Sequence, residues 1–222
     1  MGILNMYSII YLKYMDCSLR IKCVLLGTGN SGKSSLVSRY IDCKFDNNLP
    51  RTIGCAFNIK KVVDENNTFY LEIWDTSGDE HYKSMLPMYY RNSDIILICL
   101  DLSEPVNVEI IDDWSNEIDY TVDISSKIIY IVGTKSDNKN GNIKEDIDII
   151  SDKYPEFEYI ETSSKNNMNI NLLFNNCIRD IIKREEKIKE KNEQYYINNY
   201  HLDYQLMTEK ETDCFNKSCS IN

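Results

Sequence analysis

A glycine-rich segment followed by lysine and serine carries the clearest chemistry in this sequence. Residues 27–34 are GTGNSGKS and fit the pattern G-x-x-x-x-G-K-[ST], after an apolar run and before a helical stretch. In that context the backbone N–H groups wrap around phosphate oxygens. Lys33 offers a point charge to the β and γ phosphates, Ser34 offers a hydroxyl to Mg²⁺, and Asn30 tolerates a left-handed backbone. The segment predicts a nucleoside triphosphate site with magnesium and leaves the base undecided.

Three further polar segments follow apolar runs later in the chain. Asp75 closes one run and Gly78 comes three residues later, while residues 133–137 (GTKSD) and 161–165 (ETSSK) follow two others. A carboxylate at a strand tip can hold the water shell of a metal ion, and the glycine lets its backbone N–H approach a γ-phosphate. Asp-x-x-Gly alone is weak support for that role.

The elements that must position these segments alternate along the chain. Runs rich in Ile, Val, Leu, Phe and Tyr predict strands at 20–27, 53–63, 69–74, 94–100, 127–133 and 158–161. Helical stretches are predicted at 33–42, 81–92, 106–121, 143–153 and 168–190. Near-continuous apolar strands that alternate with helices predict a mainly parallel sheet with helices on both faces. The adjacent runs 53–63 and 69–74 should form an antiparallel hairpin, so we expect an α/β fold with one antiparallel edge strand.

Composition excludes several function classes. The 222 residues include 25 Lys and Arg against 35 Asp and Glu, a net charge of −10, which argues against a partner coated in phosphate such as nucleic acid. The eight cysteines form no CxxC pair and only two histidines accompany them, so a zinc site is not expected. Several cysteines lie in apolar runs, which predicts reduced thiols in the core and a cytosolic protein. The longest apolar run, residues 95–100, is too short to cross a membrane.

The chain divides into an N-terminal extension at 1–19, one domain at 20–185 and a flexible tail at 186–222. The extension lacks the charge pattern and cleavage site of a signal peptide, and Met6 stands where N-myristoylation requires Ser or Thr. The last four residues, CSIN, resemble a C-a-a-X signal and predict one prenyl group on Cys219, although Ser220 and Asn222 depart from it. A free cysteine in the tail is the alternative.

Taken in order and spacing, the four polar segments resemble the guanine-nucleotide-binding motifs of the Ras-superfamily small GTPases, over about residues 20–185. Within that superfamily the chain resembles the Rab family. RTIGCAF at 51–57 is similar to the Rab segment STIGVDF, LEIWD at 71–75 to LQIWD, and YYRNS at 89–93 to YYRGA. The resemblance implies a P-loop NTPase G domain with a six-stranded sheet. A nucleotide kinase would share only the first motif and would need a lid segment that the sequence lacks.

The resemblance assigns roles around the base and the metal. Asp137 would accept two hydrogen bonds from guanine, Lys135 would cover one face of the base, and Phe45 would pack from the other side. Thr52, seven residues beyond Phe45, matches the threonine that adds a Mg²⁺ ligand and senses the γ-phosphate.

The full set of implied site residues is as follows. The residues implied to bind GTP or GDP are Gly27, Gly29, Asn30, Ser31, Gly32, Lys33, Ser34, Ser35, Phe45, Thr52, Asp75, Gly78, Thr134, Lys135, Asp137, Ser163, Ser164 and Lys165. Those implied to hold Mg²⁺ are Ser34, Thr52 and, through water, Asp75. The implied catalytic set is Lys33, Thr52, Gly78 and Asp79, and the implied effector surface is Ile53, Phe57, Trp74 and Tyr89.

Ser77 and Asn92 depart from the Rab pattern and carry no functional expectation, but two further departures do. Asp79 replaces the glutamine that orients the attacking water; it is shorter, it only accepts hydrogen bonds when ionised, and it brings negative charge toward a polyanion. We therefore expect slow intrinsic hydrolysis, although Gly29 leaves room for the arginine finger of a partner. Thr134 replaces asparagine, which predicts faster nucleotide release or lower affinity.

The resemblance also implies a cellular role. The chain would be a monomeric switch in vesicle and membrane trafficking, found in the cytosol and lipid-anchored on the cytoplasmic face of intracellular membranes. Its partners would be Rab effectors, an exchange factor, a GTPase-activating protein, and a prenylation enzyme with a GDI-type carrier. The alternative is a GTP-binding scaffold or effector-sequestering mimic that scarcely hydrolyses GTP.

Overall fold

The structure is a computed structural model that describes residues 19–64, 67–141 and 143–192. Six strands occupy Leu19–Leu26 (β1), Cys55–Asp64 (β2), Asn67–Thr76 (β3), Ile95–Asp101 (β4), Ile128–Thr134 (β5) and Glu158–Glu161 (β6). The α-helices are Lys33–Asp42 (α1), Leu86–Tyr90 (α2), Glu109–Thr121 (α3), Lys144–Lys153 (α4) and 170–192 (α5). Three 3₁₀ helices lie at Glu80–Met85, Ile124–Ser126 and Ser136–Asn138.

The strands form one sheet in the order β2-β3-β1-β4-β5-β6. β2 and β3 pair antiparallel, with Phe57 opposite Trp74, and the other neighbours pair parallel. The predicted α/β fold with one antiparallel edge strand and six strands is therefore confirmed. Each strand begins and ends within two residues of its predicted position: β2 begins at Cys55 rather than at residue 53, and β3 extends two residues further at each end than the predicted 69–74.

The helix predicted over 81–92 is wrong as a single element. A 3₁₀ helix at Glu80–Met85 is followed by the short α2. Pro87 lies in the first turn of α2, and because proline has no N–H it cannot continue a helix that began before it. The helix predicted from residue 106 begins instead at Glu109, whose N–H is capped by the side chain of Asn107 at 2.9 Å.

Helices cover both faces of the sheet. Under α2, α3 and α4, one face buries a continuous apolar cluster that includes Ile98, Ile118 and Ile131. α1 and the start of α5 cover the other face, where the rings of Tyr40 and Phe174 stack with centroids 3.8 Å apart. This packing leaves the polar ends of the strands and their following loops free to form a site.

The predicted core cysteines are confirmed only in part. Cys23 and Cys99 are fully buried and free, and burial raises the pKa of Cys99 to about 12. Cys55 is also free but only half-buried, because it stands at the start of an edge strand, and Cys43 is exposed.

The chain forms two compact units, the first ending at Ile178 and the second beginning at Arg179. The described part of the second unit is helical, with an ion pair between Lys183 and Asp180 at 3.2 Å. The predicted extension, apart from its last residue, and residues 193–222 with Cys219 lie outside the described residues. Within the described ranges, every helix is too short or too polar to cross a bilayer.

Candidate functional site

A cavity of about 840 Å³ lies at the ends of the strands that carry the polar segments. It brings together most of the predicted nucleotide-binding residues. Those that line it are Gly29, Asn30, Ser31, Gly32, Lys33, Ser34, Ser35, Phe45, Thr52, Gly78, Asp79, Thr134, Lys135, Asp137, Ser164 and Lys165.

The loop between β1 and α1 is held by the ammonium group of Lys33. This buried group donates to the carbonyls of Gly27 and Thr28, each at 2.8 Å, and to the hydroxyl of Ser31 at 3.2 Å. Burial lowers the pKa of Lys33, and the charge of Asp75 opposes that shift. An anion entering the loop would also favour the charged lysine. Asn30 has φ 62°, so its predicted left-handed backbone is confirmed.

Two hydroxyls and one carboxylate meet beside this loop. The hydroxyls of Ser34 and Thr52 are 2.8 Å apart, and Thr52 donates to Asp75 Oδ2 at 3.3 Å. Asp75 is buried, its Oδ1 has no hydrogen-bond partner, and burial raises its pKa against the opposing effects of Ser34, Lys33 and Thr52. A divalent cation would offset the cost of burying this carboxylate in its ionised form.

The oxygen atoms of this trio fit Mg²⁺, which prefers hard oxygen ligands and keeps several waters. No cluster of three or more His, Cys, Asp or Glu side chains occurs among residues 19–64, 67–141 and 143–192. A cation at this point would therefore depend on hydroxyls, water and phosphate oxygens as well as on Asp75.

Gly78 packs directly against the phosphate loop. A Cβ atom at this position would lie 2.4 Å from the backbone nitrogen of Gly29 and 2.4 Å from the carbonyl of Thr28. Any larger residue would therefore displace one of the two loops. This close backbone approach fits the predicted role of Gly78 beside a phosphate.

Asp137 and Lys135 lie at the opposite end of the cavity. Ser163 donates its hydroxyl to Asp137 Oδ1 at 2.5 Å, and Lys165 Nζ is 4.0 Å from Asp137 Oδ2. Lys135 adopts a left-handed backbone with φ 53° and pairs with Asp101 at 2.5 Å. These contacts bring the two late motifs together from β5 and β6.

Thr134 connects this end to the phosphate loop. Its buried hydroxyl is 2.8 Å from the carbonyl of Ser31 and 2.9 Å from that of Leu100. One hydroxyl proton cannot make two full hydrogen bonds, so the two carbonyls share it.

Asp79 lines the cavity but its carboxylate also has a local role. Oδ1 accepts a hydrogen bond from the backbone N–H of His81 at 3.0 Å, which makes Asp79 the N-cap of the 3₁₀ helix. The side chain is exposed.

Three predicted surface aromatics, two on the sheet and one on α2, form a continuous row outside the cavity lining. The ring centroids of Phe57 and Trp74 are 4.8 Å apart, and those of Trp74 and Tyr89 are 5.8 Å apart. Phe57 is 49% exposed, and Ile53, in the loop before β2, is 81% exposed. The row is thus packed at its base and open to solvent at Phe57.

Comparison with known proteins identifies the family of this chain. A sequence profile described as "Ras: Ras family" matches residues 22–183. This chain belongs to the Ras family. Its relatives place it in the Rab branch of the superfamily, so the predicted resemblance is confirmed.

Three relatives illustrate the distance from this Rab-family chain. The human "Ras-related protein Rab-9B" is 30% identical over 176 residues, which are 78% of this chain and 88% of that protein. The rat (Rattus norvegicus) "Ras-related protein Rab-9A" is 31% identical over 75% of this chain and 85% of its own length. The "GTP-binding protein ypt5" of Schizosaccharomyces pombe is 35% identical over 76% of this chain and 81% of its own length.

Some site residues of this Rab-family chain support the cavity without lining it. Gly27 accepts from Lys33, Asp75 accepts from Thr52, and Ser163 donates to Asp137.

The structure also adds lining residues that we did not predict. These are Asp46, Asn47, Leu49, Pro50, Arg51, Thr76, Ser77 and Asn138. Each is next to a predicted motif or lies between two predicted residues. This position along the chain is the one signal by which the sequence could have indicated them.

Proposed function

We propose that this Rab-family chain is a GTP-binding switch in vesicle and membrane trafficking that binds GTP or GDP with Mg²⁺. The observation that carries this proposal is the single cavity that gathers the phosphate loop, Thr52, Gly78 and the pair formed by Asp137 and Lys135. Its volume of about 840 Å³ is within the range typical of small-molecule sites.

The phosphate end supplies positive charge and backbone donors. Lys33 is held by the carbonyls of Gly27 and Thr28 with its charge at the loop, where it would bind the β and γ phosphates. Ser34, Thr52 and Asp75 would hold Mg²⁺, which when bound neutralises phosphate charge. Thr52 and Gly78 belong to two different loops, so contact with a γ-phosphate would order both, and its loss would release them.

The base end supplies selectivity for guanine. Asp137 would accept hydrogen bonds from two guanine N–H groups, a pattern that adenine does not offer. The hydrogen bond from Ser163 fixes Asp137 Oδ1, which keeps the carboxylate oriented before the base arrives. Lys135 and Phe45 would pack on the two faces of the base, and the backbone of residues 163–165 would meet its O6.

We further propose that intrinsic GTP hydrolysis is slow. The carboxylate of Asp79 already accepts from His81 and would repel the γ-phosphate, whereas a glutamine amide can both donate and accept. The same contact favours the second candidate, a GTP-binding scaffold or effector-sequestering mimic that scarcely turns over. Gly29 leaves space for an arginine supplied by a GTPase-activating protein.

Partners would bind the exposed row of Phe57, Trp74 and Tyr89 together with Ile53. Apolar aromatic surface that is packed at its base and open at one end is typical of protein interfaces.

We also propose one prenyl group on Cys219, with a GDI-type carrier for the cytosolic form and attachment to the cytoplasmic face of membranes. An exchange factor would complete the cycle.

The direct test is competition between nucleotides on the purified full chain. With Mg²⁺ present, GTP and GDP should displace a fluorescent GDP at concentrations at least about a hundredfold lower than ATP does. Equal competition by ATP and GTP would refute the guanine assignment. Turnover of bound GTP, alone and with candidate activating proteins, then separates the slow switch from the scaffold.

A further inference from the structure

Arg39 stands outside the phosphate motif and outside the cavity lining, yet it contacts both segments that border the base end. It lies in the last turn of α1. Nε donates to the carbonyl of Ser164 at 2.6 Å, and Nη2 is 3.4 Å from the carbonyl of Lys165. Nη1 donates to the carbonyl of Cys43 at 2.8 Å. One guanidinium thus serves three backbone carbonyls.

The contact with Ser164 fixes the direction of a peptide group. In a trans peptide the C=O and the following N–H point in opposite directions. Holding the Ser164 carbonyl on the Arg39 side therefore aims the N–H of Lys165 away from Arg39. Ser164 and Lys165 line the cavity and Arg39 does not, so an N–H directed away from Arg39 is compatible with contact to a ligand in the cavity.

The remaining contacts of Arg39 hold the segment that carries Phe45. Cys43 ends α1 in a left-handed conformation with φ 57°, and the bond from Arg39 to its carbonyl stabilises that ending. Two residues later Phe45 lines the cavity, and its ring centroid is 6.0 Å from the Arg39 guanidinium carbon. Arg39 and Ser164 are 125 residues apart in sequence, so Arg39 joins two walls that the backbone leaves independent.

We propose that Arg39 is a positioning residue for recognition of the nucleobase oxygen. It acts by holding the Ser164–Lys165 peptide and the segment that carries Phe45, without touching the nucleotide. This inference rests on the proposed function, because it assigns the Lys165 N–H to the O6 of a bound guanine. Lysine cannot replace Arg39, because a single ammonium lacks the planar set of donors that reaches three separated carbonyls.

The test compares the wild type, Arg39→Lys and Arg39→Gln as full chains with Mg²⁺. The probes are fluorescent GDP and 6-thioguanosine diphosphate, which keeps N1–H and the exocyclic amine and has sulfur, a weaker acceptor, in place of O6. Arg20→Lys is the matched control. Arg20 is exposed, its guanidinium is 2.5 Å from the carboxylate of Glu72, and neither residue lines the cavity. Thermal unfolding of each variant reports general loss of stability.

We expect Arg39→Lys and Arg39→Gln to release GDP on the order of tenfold faster, the size of losing charged hydrogen bonds. In the same variants the preference for GDP over the 6-thio analogue should fall toward equal binding, while Arg20→Lys leaves both quantities unchanged. Unchanged release would overturn the inference. Faster release of both nucleotides by one factor would also overturn it, since that marks general loosening. A wild type that fails to retain GDP would instead refute the proposed function itself.

Discussion

The hydroxyl of Thr134 lies 2.8 Å from the carbonyl of Ser31 and so ties the end of β5 to the phosphate loop. The same hydroxyl is 2.9 Å from the carbonyl of Leu100, which leaves two acceptors for one proton. The Rab pattern has asparagine at this position, and its side-chain amide has two protons, one for each carbonyl. The link between the base and phosphate ends of the cavity is therefore weaker here than an amide could make it.

Thr134→Asn should slow release of GDP by roughly three- to tenfold, because the second amide proton satisfies the second carbonyl. Thr134→Val keeps the shape and removes the donor, so it should speed release by a similar factor. Release of fluorescent GDP measures both. Thr121→Val is the control, because the hydroxyl of Thr121 is 3.2 Å from that of Tyr90 and neither residue lines the cavity. Identical release from all variants would show that the link has no effect on nucleotide retention.

Asp79→Gln should raise single-turnover hydrolysis of GTP by about tenfold or more, because glutamine removes the negative charge and can position the attacking water. Asp79→Asn serves as the comparison, since it removes the charge without adding length and still caps His81. If glutamine is no faster than aspartate, with or without an activating protein, slow hydrolysis has another cause.

Removal of Mg²⁺ should speed nucleotide release because Ser34, Thr52 and Asp75 then lose the ion they share with the phosphates. We expect EDTA to accelerate GDP release by at least about tenfold in the wild type. In Asp75→Asn the acceleration should be much smaller, since a neutral amide holds the water shell of the ion less tightly. Asp113→Asn is the control, because this carboxylate on α3 is exposed and does not line the cavity. A full EDTA response in Asp75→Asn would remove Asp75 from the metal site.

Asp112 should contribute stability that depends on pH. Its pKa is lowered first by the hydrogen bond from Lys153, at 2.7 Å, and then by that from Tyr154, at 2.6 Å. Because the folded state lowers this pKa, the stabilisation is present above the pKa of the unfolded chain and is lost as pH falls through the folded value.

Asp112→Asn should therefore lower the free energy of unfolding at pH 7, and the difference from wild type should shrink to zero in acid below the lowered pKa. Urea unfolding across that range measures it. Asp113→Asn on the same helix is the control, because Asp113 is exposed. A difference that stays constant with pH would mean that the loss is not electrostatic.

Cys219 should carry a prenyl group when the full chain is made in a eukaryotic cell. Intact-mass and peptide mass spectrometry should find it on Cys219 and find none in Cys219→Ser. Because one prenyl chain anchors only marginally, the wild type should divide between membrane and soluble fractions rather than remain wholly bound. An unmodified Cys219 would remove the proposed lipid anchor. Cys214→Ser tests whether an acyl group on Cys214, five residues earlier in the tail, contributes a second anchor.

Local patterns were sufficient for most of the fold. The apolar runs placed six strands, and the short connection between β2 and β3 predicted their antiparallel pairing, because strand formation and tight turns depend on nearby residues. The single helix predicted over 81–92 was wrong because the apolar spacing is helical on both sides of Pro87. Proline has no backbone N–H, so one continuous helix cannot pass through it. The side chain of Asp79 caps the start of the 3₁₀ helix that forms there instead.

The sequence by itself determined the phosphate loop, the order of the motifs and the two substitutions at Asp79 and Thr134, since these depend on residue type and spacing along the chain. Only the tertiary structure decided which atoms share a proton or a charge. Burial in the folded chain leaves Asp75 Oδ1 without a hydrogen-bond partner. The divided bond of Thr134 and the contacts of Arg39 with residues 164 and 165 join segments that are distant in sequence. Such contacts are set by how the strands and helices pack, because hydrogen bonds act over a few ångströms of space whatever the separation along the chain.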